Sequence, residues 1–140
     1  MTSFLTFNRN KEIKSMSEQN KKIAIAYYEK LINDFDIESG IALYGGKSYT
    51  QHNPLIEDGW EGVTKFVAWL RASFPDSHME IKRAFSDGDM VILHSRWVRV
   101  PGDLGDAVVD FFRLENGRVV EHWDVIQPIP ATAANDNTMF

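Results

Sequence analysis

A chain of 140 residues, 44% of them hydrophobic and 25% charged, can bury a full core without covalent staples. It contains no cysteine, which excludes disulfides, thiolate catalysis and cysteine-based zinc sites and fits a cytoplasmic setting. The formal net charge of -5, with Lys and Arg scattered, speaks against nucleic acid as a partner, and no apolar run approaches the ~18 residues of a membrane span.

Residues 1–16 have no cationic region ahead of a long apolar stretch, so they read as a flexible arm, with Met16 as an alternative start. A first helix is expected from Ser17 to Ile32. Ser15 and Glu18 have capping-box spacing, and Ile23, Tyr27 and Leu31 fall on one face. A short second helix runs from Asp36 to Tyr44 and ends at Gly45-Gly46. Lys47 to His52 reads as a strand, Pro54 to Gly62 as a loop, and a third helix follows to about Phe74.

From His78 the periodicity changes to two. Strands are expected through Phe85, over Met90–Val100, over Ala107–Leu114 and over Val119–Ile126, with turns at Asp87-Gly88 and Asn116-Gly117. Helices first and strands afterwards indicate an α+β domain over 17–130, with about three helices packed on one face of a curved antiparallel sheet. The extended tail over 131–140 ends in Met139-Phe140, an apolar pair able to dock.

No phosphate-binding loop, dinucleotide fingerprint, HExxH or GxSxG motif occurs. The chemistry must come from polar residues on apolar strands. Asp110 sits between Val109 and Phe111, and Asp124 follows His122-Trp123. Burying a carboxylate raises its pKa toward the range useful for proton transfer. The bland reading is a carboxylate bonded to structural partners or facing solvent. Two such acids on adjacent strands weaken it.

The hairpin register decides whether the acids meet. With a two-residue Asn116-Gly117 turn, Asp110 lies opposite Trp123 and Asp124 opposite Val109, on different faces. With a three-residue loop and a bulge at Gly117, Asp110 faces His122 and Asp124 lies two residues further on the same side. Turn chemistry allows both.

His94, in an apolar strand, and His52, where a strand meets a Pro loop, are further candidates. A lone histidine of this kind is usually a satisfied structural residue. A zinc or iron site from His52, His94 and His122 lacks any ligand motif, so no metal is expected. Both faces of the sheet look apolar. One is expected to meet the helices and a pocket, the other to be buried in a homodimer.

Four strings carry a family resemblance: Tyr49-Thr-Gln-His-Asn-Pro54, Asp58-Gly-Trp-Glu-Gly62, Val108-Val-Asp-Phe-Phe-Arg113 and Val120-Glu-His-Trp-Asp-Val-Ile-Gln-Pro128. With the ending Asn135–Phe140, the chain resembles SnoaL-like proteins of the NTF2-like superfamily, in particular the group described as aldol-condensation enzymes. The resemblance implies a cone-shaped fold with a pocket in its open end, binding a small-molecule ligand. It implies acid/base chemistry on a carbonyl compound without metal or organic cofactor: an aldol cyclase, an isomerase or a related lyase. Asp124 matches the acid/base aspartate and Asp110 its partner. The cyclases carry histidine at that second position, so the chain departs there, and His122, His52 or His94 could supply the imidazole. His52, His94, Tyr49 and Trp60 are the expected substrate contacts. The resemblance favours the bulged register. The same superfamily includes non-catalytic binding and scaffold domains, the alternative reading.

Overall fold

Ala24, Tyr27, Tyr28, Leu31 and Ile32 recur at helical spacing, and all are buried. The computed structural model describes residues 2–140; Met1, part of the expected arm, lies outside them. Helix α1 (Thr2–Tyr28) carries that apolar face and continues into a π-helical turn at Glu29–Asn33. The segment expected as a flexible arm is therefore helical from Thr2 on. Its side chains from Phe4 to Met16 are exposed, and Ser17 is the first buried residue. No apolar face marked this extension, in keeping with the exposure of its side chains from Phe4 to Met16.

Helix α2 (Ile37–Tyr44) begins at Asp36, whose carboxylate accepts the Ser39 N–H at 3.1 Å. Helix α3 (Gly59–Ser73) starts inside the stretch expected as loop. Gly62 allows this. A Cβ there would lie 1.7 Å from the Glu57 carbonyl oxygen, so only glycine lets the first turn approach that backbone.

The five strands are β1 (Gly45–Gln51), β2 (His78–Asp87), β3 (Met90–Val98), β4 (Asp106–Glu115) and β5 (Arg118–Pro128), in the order β1-β5-β4-β3-β2. β2 to β5 form the expected antiparallel meander. β1 instead pairs parallel with β5, so the sheet is mixed rather than purely antiparallel. The Pro54 loop and α3 carry the chain from one edge of the sheet to the other, which leaves β1 on the edge remote from β2. One strand residue has no partner in each of two pairings, Lys82 in β2 and Val120 in β5. Such bulges bend a strand and increase its twist, and here they curve the sheet around the helices.

Strand alternation sends Val91, Leu93, Ser95 and Trp97 to the helices, and Ile92, His94 and Arg96 to the outer face. Asn33 covers the β2 edge: its side chain donates to the Met79 carbonyl and accepts the Met79 N–H, at 2.9 and 2.8 Å. Beyond Pro128 the chain is irregular, and the Phe140 ring lies 5.3 Å from that of His94. Among the described residues no helix is long and apolar enough to cross a membrane.

Gly62→Ala is expected to lower the urea midpoint with an unchanged m-value, a loss of about 1–3 kcal/mol from overpacking. Wild-type stability in that variant would show that the start of α3 shifts freely.

Candidate active site

Asn116 (φ 49°) and Gly117 (φ 71°) both take left-handed values, as a two-residue type I′ turn requires. Glu115 therefore pairs with Arg118 and Leu114 with Val119. The next pair is Arg113 with Glu121, so Val120 is an extra residue on β5. From there Phe112 faces His122 and Asp110 faces Asp124. Neither expected register forms: the turn belongs to the first, and the bulge lies three residues past Gly117 rather than at it. The extra residue shifts parity, and Asp110, His122 and Asp124 share the inner face.

Asp110 is buried, with both oxygens engaged. Oδ2 accepts the Tyr28 hydroxyl at 2.6 Å, and Oδ1 lies 2.8 Å from His122 Nε2. His122 Nδ1 lies 2.8 Å from Gln51 Oε1. That oxygen also accepts the Asn53 backbone N–H at 3.0 Å, which fixes the orientation of the Gln51 amide. His122 therefore donates from Nδ1. The short Nε2 to Oδ1 contact must then hold one more proton, as imidazolium with carboxylate or imidazole with carboxylic acid. Asp124 is held differently. Asn53 Nδ2 donates to both its oxygens at 2.9 Å, and His122 Nε2 is 3.9 Å away.

The end of β1 supplies the amides by alternation. Gln51 and Asn53 point inward with Tyr49, and His52 between them points out. The loop that follows is tied back at both ends. Asp58 accepts the Gln51 N–H at 2.8 Å, and Asn53 Oδ1 accepts the Leu55 N–H at 2.9 Å.

Alternation also removes two expected substrate contacts. His52 lies on the outer face, stacked on Trp123 with ring centroids 4.6 Å apart and bonded to Glu121 at 2.8 Å. His94 is on the outer face of β3, with Nδ1 2.7 Å from Arg83. Neither lines the cavity. Trp60 does not line it either. It stacks behind Tyr49 at 4.4 Å and donates to the Gly46 carbonyl, so it braces a cavity residue. Tyr49 itself is in the lining. Sequence reasoning missed Tyr28, Gln51 and Asn53. For the amides a signal existed, since residues 49, 51 and 53 of a strand share a face.

The inner face floors a cavity of about 490 Å³ with largely apolar walls, including Leu31, Ile32, Met79, Val108 and Phe112. Two cations border it. Arg99 pairs with buried Asp106 and stacks on Trp97, and Lys65 pairs with Glu57 at 2.7 Å.

Burial raises the Asp124 carboxyl above its ordinary value of 3.8, outweighing the opposing pull of the Asn53 amide and His122. Burial likewise lifts the phenols of Tyr27, Tyr28 and Tyr49, so all three stay protonated at neutral pH. Asp110, His122 and Asp124 offer one ligand atom each within 4.8 Å of one another, a spacing that also suits a divalent cation. His52 and His94 cannot join them from the opposite face.

A family model for the SnoaL-like domain matches residues 24–122. No curated protein sequence matches the chain. Among solved structures, a candidate polyketide cyclase from Acidithiobacillus ferrooxidans superposes with a TM-score of 0.63 at 22% identity, covering 77% of this chain and 87% of that one. A candidate ketosteroid isomerase from Kribbella flavida gives 0.66 at 18%, covering 89% of both chains. AclR, a candidate hydroxylase from Streptomyces galilaeus, gives 0.65 at 24%, covering 79% and 90%. At these identities the likeness establishes the fold alone.

The raised Asp124 carboxyl sets a direction for stability. The folded state binds that proton more tightly than the unfolded chain, so this group's contribution is full below 3.8 and is lost as pH rises through the raised value. Asp124→Asn is expected to gain stability relative to wild type as the pH of thermal denaturation is raised to neutrality. A gain independent of pH would contradict the burial of that charge.

Proposed function

The chain belongs to the SnoaL-like domain family, and on that premise we propose that it is an acid/base enzyme acting on a small, largely apolar carbonyl compound. The observation that carries this reading is the division of labour on the cavity floor. Asp124 is a carboxylate with unshared lone pairs facing an apolar cavity, beside a buried Asp110–His122 pair that shares a proton.

In the proposed step an Asp124 oxygen takes a proton from the carbon next to the substrate carbonyl. The electron pair of the broken C–H bond becomes the C=C bond of an enol, and the carbonyl π pair moves to oxygen. That oxygen takes the proton held between His122 Nε2 and Asp110, so charge does not accumulate on the enol. Tyr28 keeps Asp110 in place through its hydroxyl. Gln51 keeps His122 donating from Nδ1, which leaves Nε2 for the transfer. Return of the proton to another carbon gives isomerisation. Attack of the enol carbon on a second carbonyl gives aldol closure. Both begin with the same removal, and neither needs a metal or organic cofactor.

The test is exchange of solvent deuterium into an aryl ketone such as α-tetralone, followed by NMR. The protein is expected to accelerate exchange over buffer. Asp124→Asn should reduce the rate by roughly 10²–10⁴-fold. His94→Ala, on the outer face, should retain it, and EDTA should leave it unchanged. The acidic limb of the pH–rate profile should lie above 3.8, where the Asp124 base becomes free. A ketone that binds without accelerated exchange would favour a ligand-binding domain of the same fold.

A homodimer through the outer sheet face belongs to the same reading. Val125 is 65% exposed there, next to partly buried Trp123. Sedimentation equilibrium should give a dimer that Val125→Lys weakens, and a wild-type monomer would remove it.

A further inference from the structure

The charges around the cavity do not balance. Each cation that borders it already has an acid of its own: Lys65 has Glu57 and Glu61, at 2.7 and 3.3 Å, and Arg99 has Asp106. The proton between His122 and Asp110 makes that pair neutral overall, whichever partner holds it. Asp124 is left over. Its hydrogen-bond donor is the neutral Asn53 amide, and its nearest ionisable nitrogen is His122 Nε2 at 3.9 Å, which lies closer to Asp110, at 2.8 Å. A carboxylate at the bottom of an apolar cavity attracts positive charge and repels negative charge more strongly than one in water.

The walls act in the same direction. Tyr28, Tyr49, Trp97 and Phe112 all border the cavity, and aromatic faces attract cations. None of the four carries a formal charge that would offset the repulsion between an anion and Asp124.

We infer that the cavity selects its ligand by charge, accepting neutral compounds, excluding anions from its floor, and binding small apolar amines as ammonium ions on Asp124. An amine on Asp124 occupies the proposed base, so it competes with the carbonyl substrate. The inference uses the cavity of the proposed function but does not require that Asp124 remove a proton.

The experiment compares three probes of one shape, benzylamine, benzyl alcohol and benzoate, titrated against the full-length protein at neutral pH by two-dimensional NMR. Benzylamine is expected to bind roughly tenfold or more tightly than benzoate, as a charge-assisted hydrogen bond in place of a repulsion requires. Asp124→Asn should abolish the preference for the amine while leaving benzyl alcohol within about twofold of its wild-type affinity, which also reports an intact cavity. Equal binding of benzoate and benzylamine, no binding of the amine, or an amine preference that survives Asp124→Asn overturns the proposal. Charge selectivity without ketone exchange would sink the proton-transfer reading and leave this one standing. Ketone exchange without charge selectivity would do the reverse.

Discussion

Between the Asn116-Gly117 turn and the cavity floor, β5 carries one residue more than β4, and the contents of the cavity depend on that residue. Continued without interruption, the pairing of Glu115 with Arg118 would set Asp110 opposite Trp123 and Asp124 opposite Val109. Because Val120 is skipped, Asp110 faces Asp124 instead. The bulge leaves Val119 and Val120 both buried, so the extra residue is not pushed into solvent. It also sets a problem. Carboxylates directly opposite on adjacent strands repel. His122, one residue pair away on the same face, answers it by holding a proton against Asp110 and lying 3.9 Å from Asp124. Bulge, acids and histidine form one arrangement, and none of the three makes physical sense there alone.

That arrangement explains which parts were legible in the sequence. Helical spacing from Ala24 to Ile32 and the Asn-Gly turn each act over a few residues, and such local rules read well. The α+β order followed from them. The bulge had no local signature, because Val119 and Val120 are β-branched neighbours equally at home on either face. The family resemblance placed the three residues on one face, and the structure reaches that result through a different register. His94 was misplaced for a related reason. Val91, Ile92 and Leu93 give no parity, so nothing fixed which face the histidine takes. His52 was readable: once Tyr49 points inward, residue 52 points outward. The helical extension before Ser17 escaped because its side chains from Phe4 to Met16 stay exposed, so no buried period marks it.

The outer face, apolar on first reading, is threaded with polar contacts. Arg113 bonds Glu115 and Glu121, and Glu121 also holds His52, with His52 and Arg113 together keeping the Glu121 carboxyl below its ordinary range. These contacts clamp the end of β1 from outside, while the His52 backbone N–H donates to the His122 carbonyl at 3.0 Å. Gln51 and Asn53 project inward from the same three-residue stretch. Their rigidity therefore rests on groups that never touch the cavity. A strand with polar residues on both sides can link an ionic surface to a buried site, provided its parity is fixed.

The two carboxylates carry different loads. Asp110 has no free oxygen: removing it would leave the Tyr28 hydroxyl and His122 Nε2 without their partners inside the core, a penalty of about 1–3 kcal/mol for each buried polar group. Its contribution is bound up with folding, and it reaches a ligand only through the proton it shares with His122. Asp124 loses little structure when changed, because Asn53 is its one strong partner and the cavity borders the rest. The strained charge, the one that burial pushes toward protonation, thus sits where the fold can best tolerate its variation. Substitution at Asp124 therefore disturbs few packed or bonded groups, while a change at Asp110, His122, Tyr28 or Gln51 leaves a hydrogen-bond partner unpaired beside the core.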